Sequence, residues 1–123
     1  MNVKTSLRRV LVLDDDYNRQ KKFKQKLIGF DVVQVTTSKS AIAHLENEKF
    51  EYVFLDHDLG GEAFVPSGAN TGYEVAQWLK LHPDKQPQHI VIHSYNPVGR
   101  KAMMALLPQA TECPGAWDLI TVG

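Results

Sequence analysis

At 123 residues the chain is long enough for one hydrophobic core and too short for two, so we expect a single domain over residues 1–123. Its composition, 43% hydrophobic and 23% charged, excludes the profile of a disordered chain, and no apolar run approaches the roughly 20 residues that span a bilayer. The formal net charge of zero argues against bulk electrostatic attraction to nucleic acid or to an anionic membrane.

The number of cysteines and the first residues of the chain indicate the cellular compartment in which the protein is expected. Cys113 is the only cysteine, which excludes an intrachain disulfide, a thiolate zinc site and a Cys-x-x-Cys redox motif. The first residues lack the apolar core and the small-residue cleavage site of a signal peptide. We therefore expect a cytoplasmic protein without a membrane segment.

The first predicted strand is the aliphatic run at residues 9–13, which ends at the consecutive aspartates 14–16. Its continuous apolar character is typical of a strand covered on both faces in a parallel sheet. A charged stretch with spaced apolar residues predicts a helix over residues 17–28, with Gly29 at its C-terminal end. Many of the chain's basic residues lie on this helix, and they indicate either a solvated face or a surface for phosphate or a partner.

The next elements repeat the alternation of strand and helix. Residues 31–35 predict the second strand, and Thr37 or Ser38 can cap the helix that follows. Residues 50–55 predict the third strand, which ends at the polar segment 56–58. Residues 60–72 are too rich in turn formers to be regular. Thr71 and Glu74 have capping-box spacing and predict a third helix to about residue 81.

The last part of the chain is less regular. Residues 89–92 predict a fourth strand, and Asn96 before Pro97 predicts the start of a helix that reaches about residue 107. Residues 110–113 predict a fifth strand, whereas residues 117–122 fit a terminal strand or a short helix equally well. Four strand–helix units in succession predict an α/β fold, a parallel sheet with helices on both faces.

Polar segments follow three of these strands directly, at residues 14–16, 56–58 and 93–96. Ligands of such sheets bind at the carboxyl ends of the strands, so we expect these segments to meet at one edge. Clustered carboxylates repel one another unless a cation relieves the repulsion, and oxygen ligands suit Mg²⁺ better than zinc. The alternative is that the acids cap helices, which accounts for Asp16 but not for the whole set.

Two segments resemble response-regulator receiver (CheY-like) domains. Residues 10–16, Val-Leu-Val-Leu-Asp-Asp-Asp, are similar to their first strand and acidic pair, and residues 52–56, Tyr-Val-Phe-Leu-Asp, to their third strand and phospho-accepting aspartate. The resemblance covers nearly the whole chain and implies a flavodoxin-like, doubly wound, three-layer sheet. It further implies a set of site residues: Asp14, Asp15 and Asp56 as Mg²⁺ ligands together with the backbone carbonyl of Asp58, Asp56 as phosphoryl acceptor, and Ser94 as a contact to the phosphoryl group.

The sequence also departs from ordinary receivers. No Lys or Arg occurs after Lys101, so the family's lysine at the end of the fifth strand has no counterpart. His57 and His93 stand at strand ends where ordinary receivers carry other residues. Residues 56–59, Asp-His-Asp-Leu, with residues 93–97, His-Ser-Tyr-Asn-Pro, resemble the divergent receivers predicted to process cyclic phosphates on RNA ends or nucleotides. That resemblance implies an enzyme.

The chemistry of such an enzyme fits these residue types. A metal held by Asp15 and Asp56 polarises a phosphoryl oxygen or activates water, while His57 or His93 moves a proton near neutral pH. Opening a cyclic phosphate requires one proton to be removed and one to be delivered. The alternatives are that His93 is a satisfied strand-end histidine and that His57 points away from Asp56, because neighbours on a strand alternate sides.

Three functions stay open at this stage. The first is a metal-dependent phosphoesterase with Asp56, His57, His93 and Ser94 as catalytic residues, acting on a phosphate-containing small molecule or an RNA end. The second is a phospho-accepting receiver in a phosphorelay, and the third is a receiver-shaped interaction module; both require a protein partner. The oligomeric state is left open.

Overall fold

The computed structural model describes residues 8–59 and 66–113. Within them five parallel strands lie in the order β2-β1-β3-β4-β5, joined by helices on both faces of the sheet. The strands are β1 (Arg8–Leu13), β2 (Phe30–Val35), β3 (Tyr52–Leu55), β4 (His89–Ile92) and β5 (Thr111–Glu112). The helices are α1 (Tyr17–Lys26), α2 (Ser38–Asn47), α3 (Gly72–Leu81) and α4 (Pro97–Leu106), and a 3-10 turn follows α3 at Pro83–Lys85.

The predicted alternation of strands and helices is confirmed, with small shifts at the ends of elements. Helix α1 ends at Lys26 rather than at residue 28, and Gly29 beyond it has φ +94°, a left-handed conformation that favours glycine. Strand β3 begins at Tyr52, two residues later than predicted. Strand β5 is only two residues long, and the undecided segment 117–122 lies outside the described residues.

The core consists of two apolar clusters, one on each face of the sheet. On one face Phe23 of α1 and Leu27, which caps its C-terminal end, pack against the side chains of Val10, Val12 and Phe54. On the other face α2, α3 and α4 cover the alternate residues of the same strands. Burial on both faces explains the continuous apolar runs of the central strands β1, β3 and β4, as expected for a parallel sheet. No helix of the described residues is both long and apolar enough for a transmembrane span.

Side-chain caps fix the start of three helices. The carboxylate of Asp16, the hydroxyl of Thr37 and the amide oxygen of Asn96 each accept a bond from a backbone N–H of the first turn. The capping box predicted at α3 is wrong: the Thr71 hydroxyl donates to the carbonyl of Gly68 at 2.7 Å and makes no cap bond. Glu74 instead accepts from the backbone N–H of Asn70 at 2.7 Å.

The backbone ladder continues one residue past the strands, and this extension positions the polar edge. The N–H of Asp56 donates to the carbonyl of Leu13 at 3.0 Å, and the N–H of His93 donates to that of Leu55 at 3.0 Å. The N–H of Asp14 similarly donates to Val35 at 3.1 Å. Residues 14, 56 and 93 are therefore held side by side by the same bonds that hold the sheet.

Candidate functional site

Three carboxylates converge at the carboxyl edge of the sheet. Asp14 and Asp15 follow β1, Asp56 follows β3, and one oxygen from each lies within 4.8 Å of the others. Asp14 is fully buried and Asp56 is 3% exposed, whereas Asp15 is partly exposed. The structure therefore brings together the three acids that the sequence suggested as metal ligands.

The carboxylate of Asp14 is surrounded by donors. Its Oδ2 accepts from Arg19 Nε at 2.7 Å and from His93 Nε2 at 2.9 Å. Its Oδ1 accepts from Arg19 Nη2 at 3.0 Å and from the backbone N–H of Asp16 at 2.9 Å. Burial acts to raise the pKa of Asp14, but the hydrogen bonds from His93 and Arg19 outweigh it and lower the pKa to about 2.

Asp56 has a poorer set of donors. Its Oδ1 accepts from the backbone N–H of His57 at 2.9 Å, and its Oδ2 accepts a long bond from Arg19 Nη2 at 3.3 Å. Burial, with the repulsion of Asp14 added to it, raises the pKa of Asp56 to about 6, although the electrostatic influence of His93 and Arg19 opposes the rise. Of the two buried carboxylates, Asp56 is therefore the one that accepts fewer hydrogen bonds.

Arg19 is the functional residue that the sequence reasoning missed. It was counted among the basic residues of the first helix, yet its guanidinium bridges Asp14 and Asp56 and its side chain is only 26% exposed. On its other side the Arg19 Cζ lies 5.9 Å from the centre of the Tyr95 ring. A sequence signal existed, because the residue lies in the first turn of the helix that begins directly after the acids.

His93 lies beside the acidic cluster. Its ring is 1% exposed and packs edge-on against Phe23 and Phe54, with ring centres 5.2 and 6.5 Å away. The bond to Asp14 favours the tautomer that carries its proton on Nε2. Among the described residues, Nδ1 of His93 is the one buried side-chain nitrogen or oxygen without a hydrogen-bond partner. His93 therefore joins the site through one nitrogen and keeps the other unpaired.

His57 is turned to a different set of partners. Its Nδ1 lies 2.8 Å from Asp58 Oδ1 and its Nε2 lies 2.9 Å from the Ser67 hydroxyl. Asn96 Nδ2 donates to the same Asp58 oxygen at 3.0 Å. The ring also rests on α4, where a Cβ added to Gly99 would lie 2.4 Å from His57 Cγ. These contacts turn the His57 ring to partners other than the three carboxylates. The catalytic role of His57 therefore stays a prediction, and its contacts argue against it.

The two remaining predicted site residues, Asp58 and Ser94, are both engaged in hydrogen bonds within the protein. The Asp58 side chain is engaged by His57 and Asn96, so only its backbone carbonyl stays a candidate ligand. Ser94 is fully buried, and its hydroxyl accepts from the N–H of Asn96 at 3.0 Å. The carbonyl of Ser94 accepts from Arg100 Nη1 at 2.7 Å. A hydroxyl that accepts one bond still has its proton to donate, so the predicted phosphoryl contact of Ser94 remains open.

The donor set of the acidic cluster fits a hard divalent cation. Three carboxylate oxygens suit Mg²⁺, and the guanidinium of Arg19 balances only part of their combined charge. The residues that would hold the ion are Asp14, Asp15 and Asp56. At the end of β5, where receivers carry a lysine, the chain continues with Cys113, whose N–H donates to Ile92 at 2.8 Å.

A parallel sheet in this order, with acids at the ends of β1 and β3, defines the CheY-like, flavodoxin-like receiver fold. Comparison with known families narrows the class further. The chain belongs to the cyclic-phosphate processing receiver domains, whose family model matches residues 9–109. No curated protein matches the sequence.

Three solved structures with the same fold are distant in sequence from this chain. A CheY-like receiver domain protein from Methanospirillum hungatei is 24% identical, with a TM-score of 0.63 over 88% of this chain and 80% of the other. A phosphorylated cyanobacterial phytochrome response regulator is 16% identical, with a TM-score of 0.72 over 94% and 89%. A Thermotoga maritima response regulator, solved in complex with Mg²⁺ and BeF, is 20% identical, with a TM-score of 0.66 over 87% and 84%. These likenesses show the fold.

Proposed function

We propose that the protein is a metal-dependent enzyme that hydrolyses cyclic phosphates on nucleotides or RNA ends. The observation that carries the proposal is the buried imidazole of His93, bonded to Asp14 inside a cluster of three carboxylates. The description of the family to which the chain belongs supports the choice of substrate. We expect the activity in the cytoplasm, because the chain has a single cysteine and no disulfide.

The reaction forms a bond from a water oxygen to phosphorus and breaks one ring bond from phosphorus to a sugar oxygen. When bound at Asp14, Asp15 and Asp56, Mg²⁺ would neutralise charge on a phosphoryl oxygen. The residues of the chain then have to move two protons, one from the water and one to the leaving sugar oxygen. His93 holds its proton at Nε2, directly beside the acids, and is the imidazole best situated to exchange it.

The absent lysine also favours hydrolysis over a long-lived phosphorylated state. A lysine after the fifth strand is the group that steadies a phosphoryl group in receivers, and no Lys or Arg follows Lys101 here. Arg19 is the guanidinium nearest to the acids among the described residues, and it is engaged with the carboxylates themselves. A phosphoryl group on Asp56 would therefore lack the cation that usually retains it.

A phospho-accepting receiver is the second candidate, because Asp56 lies at the end of β3, the acceptor position of the receiver fold. In that case Asp56 would take a phosphoryl group from a donor and signal to a protein partner. The two candidates share the same acids and differ in what becomes of the substrate. They can therefore be separated by one experiment.

The protein is incubated with Mg²⁺ and either a 2′,3′-cyclic nucleotide or acetyl phosphate, with chromatography of the nucleotide and intact mass of the protein as readouts. We expect conversion to a nucleoside monophosphate that EDTA abolishes. Asp56→Asn should abolish it as well, while Asp31→Asn, which removes an exposed acid paired with Arg9 away from the site, should not. Stable phosphorylation without hydrolysis would instead establish the second candidate.

A further inference from the structure

The carboxylate of Asp14 has no room for an additional partner. A carboxylate offers about four acceptor positions, and the four donors around Asp14 use them: Arg19 Nε and Nη2, His93 Nε2 and the N–H of Asp16. Each of its two oxygens accepts two of these bonds. A cation that binds to Asp14 therefore has to displace one donor.

The three donor residues differ in how easily they can leave. The N–H of Asp16 belongs to the backbone at the start of α1, where the Asp16 carbonyl accepts from Gln20 at 2.9 Å. The His93 ring is wedged between Phe23 and Phe54 in the core. Arg19 is the exception, because it has a long, flexible side chain that is 26% exposed at the rim of the site.

Arg19 is also the residue whose charge competes directly with a divalent cation. Its guanidinium contacts two of the three acids that would bind the ion, so it supplies the positive charge that the ion would supply. The half-exposed ring of Tyr95 lies on its other side, with 54% of that residue exposed. A guanidinium that leaves the acids can remain in contact with this aromatic face.

We propose that Arg19 is an exchangeable counter-ion of the acidic site, which leaves Asp14 when a divalent cation binds. The inference rests on the metal site proposed above and adds a residue that sets the affinity of that site. Arg19 stabilises the metal-free protein and weakens cation binding by the same interaction, because occupation of Asp14 by the two cations is mutually exclusive.

Calorimetric titration with MgCl₂ of the wild-type protein, Arg19→Gln and Lys24→Gln tests this exchange. Lys24 is an exposed residue of the same helix, so its variant removes the same charge without touching the acids. We expect Arg19→Gln to bind Mg²⁺ about tenfold more tightly than the wild type or better. Lys24→Gln should change the affinity by less than about twofold, because exposed charges are screened at physiological salt.

The Arg19 Nε–H resonance of the wild-type protein provides a second readout, which does not depend on how well a variant folds. It should shift as Mg²⁺ saturates the protein, because the bond to Asp14 Oδ2 is lost; Arg19→Lys identifies the signal. If Mg²⁺ binds equally to the wild type and Arg19→Gln and leaves the resonance unmoved, the exchange is refuted while the metal site stands. If Mg²⁺ binds to neither protein, both the metal site and the exchange are refuted.

Discussion

Two histidine–aspartate pairs lie at the same edge of the sheet, and they differ in what surrounds them. His93 pairs with Asp14 at 2.9 Å, and His57 pairs with Asp58 at 2.8 Å, and both rings are buried. On the His57 side both ring nitrogens are bonded and the ring rests on Gly99. On the His93 side one nitrogen is unpaired and the aspartate belongs to a cluster of three acids.

The difference shows how the same residue types serve two purposes. The His57 side ties the segment after β3 to the start of α4 through Asn96 and to the segment before α3 through Ser67, and its satisfied polar groups resemble a structural clamp. On the His93 side three carboxylates converge, and the guanidinium of Arg19 offsets only part of their charge. A cluster of carboxylates bonded to a buried imidazole that keeps one nitrogen unpaired is the arrangement expected of a chemical site rather than a structural one.

The largest difference should appear when each imidazole is replaced by an amide. Gln at position 93 can still donate to Asp14 but cannot exchange a proton, so His93→Gln should lower Mg²⁺-dependent hydrolysis of a 2′,3′-cyclic nucleotide by about 10²-fold or more. His57→Gln should lower kcat by less than about threefold, because removal of a group outside the reaction does not affect proton transfer. Equal losses in the two variants would remove the distinction between the two sides.

In the metal-free protein, replacing each of the two buried acids of the His93 side should change the free energy of unfolding in opposite directions. The pKa of Asp56 is about 6, above its ordinary 3.8, so its ionisation costs stability as pH rises between those values. Asp56→Asn should thus raise the free energy of unfolding by up to about 3 kcal/mol near pH 7.5, with little effect near pH 4.

Replacing Asp14 should change the free energy of unfolding in the direction opposite to that expected for Asp56. Its pKa of about 2 lies below its ordinary 3.8, so its ionised form contributes stability that is lost as pH falls through that range. Asp14→Asn should therefore lower the free energy of unfolding by about 2 kcal/mol at neutral pH. Urea denaturation in EDTA measures both variants, and the same sign for both at neutral pH would contradict the assigned environments.

A methyl group placed against the His57 ring tests the clamp. Gly99→Ala brings a Cβ within 2.7 Å of three ring atoms, which forces the ring or α4 to move and should cost about 2 kcal/mol of stability. Gly68→Ala is the matched control, because a Cβ there meets nothing within 4 Å. Thermal unfolding that shows Gly99→Ala to be as stable as Gly68→Ala would argue against a tightly packed clamp.

Substitution of Ser94 should have the smallest effect on stability, and it tests whether Ser94 belongs to the His93 side or to the His57 side. Ser94→Ala removes an acceptor of the Asn96 N–H and should lower the free energy of unfolding by about 1 kcal/mol, whereas Ser94→Thr keeps the hydroxyl. The variants are compared by urea denaturation and by activity per folded molecule. Activity that falls much further than stability would assign Ser94 to the acidic side and to the phosphoryl contact.

Local patterns in the sequence were sufficient to predict the fold and the clustering of the acids at one edge of the sheet. Continuous apolar runs predicted the buried parallel strands, and the rule that their carboxyl ends share an edge brought residues 14, 15 and 56 together. The cap at Asn96 was predicted from the adjacent residues Asn96 and Pro97. These features depend on neighbours in the chain or on strand polarity, which a single sequence contains.

Features that depend on packing between distant segments could not be predicted in this way. The role of Arg19 follows from the orientation of α1 over the sheet, which turns the first helical turn toward Asp56. The direction of the His57 ring depends on its bond to Ser67 and on packing against Gly99, which belongs to a helix far along the chain. The capping box at Thr71 failed because Asn70 and Ser38 provide Glu74 with other donors.

The most direct test of the difference between the His93 side and the His57 side is an NMR titration. It follows the imidazole nitrogens of both residues while Mg²⁺ is added to the wild-type protein. The ring that is bonded to the carboxylate of Asp14 should respond, because that carboxylate changes partners when the ion binds. We predict large shifts of the His93 nitrogens and nearly constant His57 nitrogens at saturating Mg²⁺. Shifts confined to His57, or no response of either ring, would contradict the assignment of the working site to the His93 side.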